Sequence, residues 1–462
     1  MSVGPVTKQK GYHLEREPIV RIGIILAEDQ RREMVLEAPG DGYEIHAAGR
    51  AVVKLRPHVP VVVRAGSIGV SAHYVDGVEL IPSAAKLEVV SPANAAPEKA
   101  GDGILVRQVG AGRGFHWQKK IDQTLSDTLE FLIKDGQLIM INGLPLETYL
   151  TGVITGEMSG DCPIEFLKAQ ATAARSWLLG QKKSPHPGEP FFWCNDDCCQ
   201  RYQGTGGWSE QAREAIRQCR GQVLITPTDS YCDARYSKST GGISEDARNC
   251  WHIDIEGLEA RVDAPAGDPV HRFFPITEEN IEEYLTGDWL RETQAYASPN
   301  VAPESTLKQY LGRVDEVGEY FRWQKTISHD ELRESLRTRG GLKDLARIMD
   351  IRYGSRGRSG RLITLHVDYR DDAGATKTHT FQKEYDIRAA MDKKFLFSSM
   401  FVTRVSRATD GSVEKVKLIG GGWGHGAGLC QIGGLGRALK GQNYDEILLH
   451  YYSNVRLEKI YS

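Results

Sequence analysis

Between Pro18 and Ile141 apolar residues come only in short runs, each closed by Gly, Pro or Asp. The runs IVRIGIIL (19–26), AVVKLRP (51–57), VPVVVRAG (59–66) and the pair inside TLEFLIKDGQLIMING (128–143) are rich in Val and Ile. Branched side chains fit the pleated, half-buried surface of a strand, and turn residues at this spacing leave no room for a long helix. Residues 19–143 are therefore predicted as a mostly β region, with SPANAAPEKAGDG (91–103) as a loop inside it. The polar residues 1–18 before it are predicted as a loose tail.

The pattern changes at Pro145. In PLETYLTGVITGEM (145–158) Tyr149, Leu150, Val153 and Ile154 form a stripe at helical spacing, and Pro opens the segment as it does many helices. CPIEFLKAQATAARSWLLGQ (162–181) repeats the design with Ile164, Leu167, Ala171, Ala174 and Leu178. Acidic helical segments, TEENIEEYL (277–285) and SHDELRESLRTR (328–339), mark an α-rich stretch at about 255–345. Strands are predicted to resume at RLITLHVDYR (361–370), and YDEILLHYYS (444–453) reads as a last helix. The fold class is α+β.

Composition excludes several functions. The 462 residues carry 58 Lys plus Arg against 61 Asp plus Glu, a net charge of −3. That balance lacks the basic excess of a general nucleic-acid binder. No apolar run reaches the roughly 18 residues of a membrane span. The sequence MSVGPVTKQKGYHLEREPIV has no apolar core of a signal peptide, so no leader is visible and a route of export is not evident. The 8 cysteines are too few for a disulfide scaffold in a chain of this length.

Glu157 continues the stripe of Val153 and Ile154, which predicts a partly desolvated carboxylate whose pKa rises toward the range of a general acid. The alternative is a helix end at which Glu157 points into solvent. Arg175, on the Ala-rich face of the second helix, suits an anionic or hydroxyl-rich ligand, a pairing with Glu157, or an ordinary place on the surface. In SPHPGEPFFWCNDDCCQRYQG (184–204) the thiols of Cys194, Cys198 and Cys199 lie near His186, a soft donor set that suits tetrahedral zinc. Buried thiols or one disulfide are the other readings, since adjacent Cys198 and Cys199 can both ligate only on an irregular backbone. RYSKSTGG (235–242) places Tyr236 and Lys238 before a Gly turn. LIGGGWGHGAGLCQIGGLG (418–436) carries Trp423, His425 and Gln431, and matches neither a P-loop nor a dinucleotide fingerprint.

Taken together, LPLETYLTGVITGEMSGDCPIEFLKAQATAARSW (144–177), CCQRYQG with ARYSKSTGG (198–242) and GGGWGHGAGLCQIGGLGRALKGQNYDEILLHYYSNV (420–455) resemble the SpoIID/LytB family of bacterial cell-wall proteins. The resemblance implies a SpoIID-like catalytic domain over 144–457, with helices around an active-site Glu and an insertion at 255–345. It implies lytic transglycosylase activity on peptide-stripped peptidoglycan glycan strands, with Glu157 as the acid and Arg175, Tyr236 and Lys238 as substrate-binding residues. Some members hold zinc near a CQxYxG motif, which maps onto Cys194, Cys198, Cys199 and His186 as one structural zinc site. A cell-envelope location and a peptidoglycan amidase as partner also follow from the resemblance, and so does the alternative of a non-catalytic, wall-binding amidase enhancer. Four positions depart from the family pattern: Ser159 stands for Pro, Cys430 and Ile432 flank Gln431 where Ser and an aromatic are usual, and Cys198 stands for His.

Overall fold

Strand Ile19–Ile25 pairs antiparallel with Gln137–Pro145, Ile22 opposite Asn142, so the first and last strands of the β region are neighbours. The computed structural model describes residues 12–92, 96–115, 118–312, 315 and 318–462. Among these the chain forms two compact units, one of Met1–Val223, Gln309–Asp315 and Glu458–Ser462, the other of Leu224–Lys308 and Glu316–Leu457.

The first unit is built on two sheets. A seven-stranded sheet runs Trp193–Cys194, Ile19–Ile25, Gln137–Pro145, Thr128–Lys134, Lys86–Val90, Glu44–Ala47, Arg50–Lys54. A six-stranded sheet runs Lys119–Leu125, Ile104–Ala111, Glu33–Glu37, Val61–Ala65, Val70–Tyr74, Glu79–Ala84. Alternate residues such as Met34, Leu36, Val61, Val63, Val70 and Ala72 are fully buried, the period-two pattern of half-buried strands. The predicted mostly β region is therefore present, with further strands that alternate too much with polar residues to stand out in the sequence. Part of the predicted loop at 91–103, residues 93–95, lies outside the described residues.

The strand Gln137–Pro145 runs without a loop into helix α1 (Leu146–Glu157), and α2 (Ile164–Gly180) follows. Both prolines sit one position earlier than predicted, at the N-caps, and no side chain of Pro145 can serve the first amides of α1. Those amides are satisfied from the segment before the β region: Leu146 N–H donates to the Pro18 carbonyl (3.0 Å) and Glu147 N–H to the Glu17 carboxylate (2.7 Å). Residues 12–18 are thus pinned where a loose tail was predicted, because orphan amides at a helix start need acceptors. Residues 1–11 lie outside the described residues. Because strand and helix are continuous, the division at 143/144 does not coincide with a boundary of the compact units.

The predicted stripe of α1 is buried throughout, and that of α2 is buried from Leu167 to Leu178, with Ile164 half-buried. α1 meets the segment 200–205 across Gly152 and Gly156, beside Tyr149 of the stripe. A Cβ at Gly152 would stand 2.5 Å from the Tyr202 ring, and one at Gly156 2.6 Å from the Arg201 carbonyl oxygen.

The second unit packs two three-stranded antiparallel sheets around one core. The first is ordered Arg322–Ser328, Val413–Gly421, Phe401–Arg407, the second Leu345–Tyr353, Leu365–Asp371, Thr376–Phe381. Leu332, Leu336, Ile348, Leu365, Val367 and Leu418 are fully buried in that core. The stretch 255–345 holds short helices, among them Ile281–Thr286 and His329–Thr338, and also the strand Arg322–Ser328. It is not one body: Gln309–Asp315 belongs to the first unit, where Leu311 bridges Met158 and the Tyr310 carbonyl accepts Ser159 N–H at 2.9 Å.

Replacing Gly by Ala inside an exposed helix gains about 1 kcal/mol. At Gly156 the added methyl meets a backbone carbonyl that cannot rotate away, so overpacking wins. Gly156→Ala is expected to cost about 1–3 kcal/mol in urea unfolding. A variant as stable as the wild type would show that the 200–205 segment is not seated on α1.

Candidate functional site

Glu157 ends α1 and is 8% exposed, so it does not end in solvent. One carboxylate oxygen accepts the Arg201 peptide N–H at 3.0 Å. The Arg201 side chain turns away to pair with Asp197 (2.8 Å) and with Asp315 (2.7 Å), so its charge is balanced locally and burial does not leave it alone. These neighbouring carboxylates hold the Arg201 guanidinium well above its ordinary range against the opposing cost of its burial. Around this point the 200–205 segment is fixed on both sides. Tyr149 Oη donates to Gln200 (3.1 Å), Gln200 donates to the Ala174 carbonyl (3.1 Å), and Tyr202 Oη donates to Asn142 (2.8 Å). The sequence reading missed Arg201, which fills a variable position of the CQxYxG motif, and Asp315, which lies far along the chain in no motif.

The thiol cluster ends at Cys199, directly before Gln200. The ligating atoms of His186, Cys194, Cys198 and Cys199 all lie within 4.8 Å of one another. Sγ of Cys194 and Cys198 are 3.2 Å apart, and His186 Nε2 is 3.4 Å from Cys199 Sγ. A tetrahedral ion at ~2.3 Å from sulfur places its ligands roughly 3.8 Å apart, so the group could hold a metal. The difficulty of two adjacent cysteines is met by a tight turn at 194–199, in which Cys199 N–H bonds the Asp196 carbonyl at 2.8 Å. Cys194 is placed by parallel pairing with Gly23, and Asp196 by Gly112 and Arg113, whose amides donate at 2.9 and 2.8 Å. All 8 cysteines are free, so the cluster holds no disulfide.

Arg175 is fully buried, and its partner is Glu147 rather than Glu157. Nε and Nη2 donate to the two Glu147 oxygens at 3.1 and 2.5 Å, and Nη1 donates to the Gln222 carbonyl at 2.7 Å. Gly221 N–H and Tyr461 Oη complete the shell of Glu147 at 3.1 and 2.5 Å. The ion pair joins α1 to α2, and a guanidinium with no exposed surface has no donor turned outward to a glycan. Neither the surface nor the Glu157 pairing allowed by the sequence is realised.

Tyr236 and Lys238 lie in the second unit, both half-buried. The short strand Tyr236–Ser237 pairs in parallel with Leu429–Cys430, which brings the STGG turn and the Gly-rich stretch together. Cys430 caps the following helix through Sγ, which accepts Gly433 N–H and Thr240 N–H at 3.2 Å each, and burial pushes its thiol up to about 11. This is the local packing that a Cys in place of the usual Ser supports.

Comparison with known proteins adds to this picture. Residues 134–225 match the family described as Stage II sporulation protein, a range that contains Glu157, Arg175 and all four cluster residues. The amidase enhancer of Bacillus subtilis (strain 168) is 26% identical over 316 residues. The two findings support a SpoIID/LytB-family protein. That match takes in 67% of this chain and 40% of the amidase enhancer, so the chain spans well under half the length of that relative. An uncharacterized protein of Brachyspira hyodysenteriae is 24% identical over 366 residues, 76% of this chain and 79% of its own length. Residues 259–428 match a domain of unknown function, so the SpoIID/LytB resemblance at Tyr236 and Lys238 lies between two matched stretches.

Removing one partner of a buried ion pair costs about 3–5 kcal/mol, because the other charge stays behind. Arg175→Met should lower stability in urea by that order, and Glu147→Gln/Arg175→Met should recover a large part of it. An Arg175→Met variant with wild-type stability would contradict the pairing.

Proposed function

We propose that this SpoIID/LytB-family protein cleaves peptidoglycan glycan strands, in particular strands stripped of stem peptides, as a lytic transglycosylase with Glu157 as its acid and base. The observation that carries the reading is a buried carboxylate at the end of α1 that accepts a backbone amide. Hydrolysing glycosidases use two carboxylates, one of them for water or for covalent attack. A transglycosylase needs one. Glu157 gives its proton to the oxygen between N-acetylmuramic acid and N-acetylglucosamine, and that bond breaks. The carboxylate then takes the proton of the muramic acid C6 hydroxyl as its oxygen bonds to C1, which closes a 1,6-anhydro ring and restores the acid. The nucleophile is tethered to the sugar, so its effective concentration is high without a positioned water. Tyr236 and Lys238 bind the glycan in this reading. Arg175, buried on Glu147, serves by fixing α1 relative to α2.

The thiol cluster is proposed to hold one structural zinc through His186, Cys194, Cys198 and Cys199. Four protein donors leave no open position, so the ion's contribution is a cross-link. The residues it would join stand immediately before Gln200 and Arg201, whose backbone presents the amide to Glu157. The cell envelope is the proposed place of action.

A second reading is favoured by the name of the B. subtilis relative, an amidase enhancer: a wall-binding protein that stimulates a peptidoglycan amidase without cleaving glycan. The two readings separate at Glu157.

Mass spectrometry of digests of amidase-treated glycan strands should show 1,6-anhydromuramyl ends with the wild type and a loss of at least about a hundredfold with Glu157→Gln. Reducing ends would mean hydrolysis. Intact strands with both proteins, combined with stimulation of an amidase by both, would establish the enhancer. Elemental analysis of protein purified under reducing conditions should find about one zinc per chain, and Cys198→Ser should lower that content. A metal-free wild type that stays metal-free after incubation with zinc would remove the cross-link.

A further inference from the structure

Arg361 lies in the stretch matched to a domain of unknown function and is 1% exposed. A fully buried guanidinium must give its donors to acceptors inside the protein. Here Nη2 donates to the Ser239 carbonyl, Nη1 to the Thr240 carbonyl and Nε to the Gly424 carbonyl, each at 3.3 Å. Nη1 also donates to Ser359 Oγ at 3.1 Å. Ser239 and Thr240 follow Lys238 directly, and Gly424 is in the Gly-rich stretch, so one side chain serves both loops.

The glycines of the second loop are explained by the same group. A Cβ at Gly426 would stand 2.2 Å from Arg361 Cζ, and one at Gly422 2.7 Å from Nη2. The guanidinium occupies the volume that side chains would fill. Its charge is offset by Glu245, fully buried, which accepts Ser359 Oγ–H at 2.6 Å, Asn249 Nδ2–H at 2.8 Å and Asp246 N–H at 2.9 Å. The loops also bond each other: Ser239 N–H donates to the Trp423 carbonyl at 3.0 Å and Trp423 N–H to the Ser239 carbonyl at 2.8 Å. His425 closes the arrangement. Its Nδ1 accepts Ala427 N–H at 3.1 Å, and burial with Arg235, Arg388 and Arg361 nearby holds the ring well below its ordinary pKa, neutral. Trp423 is stacked on Phe397 with ring centres 4.2 Å apart.

We propose that Arg361 is a positioning residue that fixes the backbone of 236–242 and 422–428 as one piece, and thereby the placement of Tyr236 and Lys238. The stretch 259–428 then contributes a tie beneath the glycan-binding residues. The role of Tyr236 and Lys238 rests on the glycan reading above, whereas the tie itself does not. Lysine cannot replace it, because a single ammonium lacks the planar fork that reaches three carbonyls of different loops.

The test compares the full chain with Arg361→Lys, which keeps the charge, and with Glu245→Gln/Arg361→Gln, which keeps the charge balance. Hydrogen–deuterium exchange read by mass spectrometry should rise about tenfold or more at 236–242 and 422–428 in both variants, with α2 and strand Leu365–Asp371 unchanged. On peptide-stripped glycan strands KM should rise about tenfold with kcat within about twofold. Wild-type exchange in both loops of either variant, or a rise throughout the second unit, overturns the proposal. So does a KM equal to wild type when the wild type cleaves. If the wild type neither binds nor cleaves glycan, the glycan reading fails and the exchange result alone decides the role of Arg361.

Discussion

The first unit depends on how closely a peptide segment can approach a helix. Gly152 and Gly156 leave one face of α1 without side chains, and 200–205 lies against that face at backbone distance. Only at that distance can the Arg201 amide reach Glu157. The same approach ties the thiol cluster to the carboxylate, since Cys198 and Cys199 lead directly into Gln200 and Arg201. The Glu157 carboxylate accepts the Arg201 amide, while the Arg201 guanidinium pairs with Asp197 and Asp315. Geometry is set by the backbone and charge is dealt with elsewhere.

Buried charge is handled in the same way throughout. Arg175 pairs with Glu147 in the first unit and Arg437 with Asp263 in the second, each closed by further hydrogen bonds, and Arg361 is joined to Glu245 through Ser359 Oγ. Such pairs add little net stability over an apolar core, but they penalise every arrangement that leaves one member alone. In each case the partners come from distant parts of the sequence, so the pairs select which segments meet. The glycine-rich stretch follows this logic. Its conformation is set by a cation and by backbone bonds to the STGG turn, and its histidine is part of the framework.

The two helices were legible because their apolar stripes have the helical period, and the burial of Glu157 is one of the two readings its place on α1 left open. The soft donors near 194–199 were legible as a chemical set, although the turn that lets adjacent cysteines face one space was not. Partners were the illegible part. Arg175 had two acidic residues on α1 within its reach in sequence terms, and spacing does not say whether Glu147 or Glu157 faces it. Glu17 sat in a polar stretch whose composition suggests a loose tail, because the need it meets arises only when α1 begins after Pro145. Arg361 lies among several arginines in RYGSRGRSGR and has no local mark of burial. Strands such as Glu33–Glu37 and Lys119–Leu125 were hidden by polar residues on their solvent-facing side.

The shell of Glu147 is completed by Tyr461, a hydroxyl contributed 314 positions later. Contacts of such separation form last, because the chain between them must be ordered or looped before they can close. During synthesis, α1 and α2 emerge with Arg175 and Glu147 already able to meet. Their burial stays incomplete until Glu458–Ser462 arrives to join the first unit. The helix that carries the candidate acid therefore reaches its final packing only after the second unit has been made. Translation order alone would keep the surroundings of Glu147 and Arg175 unfinished until Tyr461 has been made.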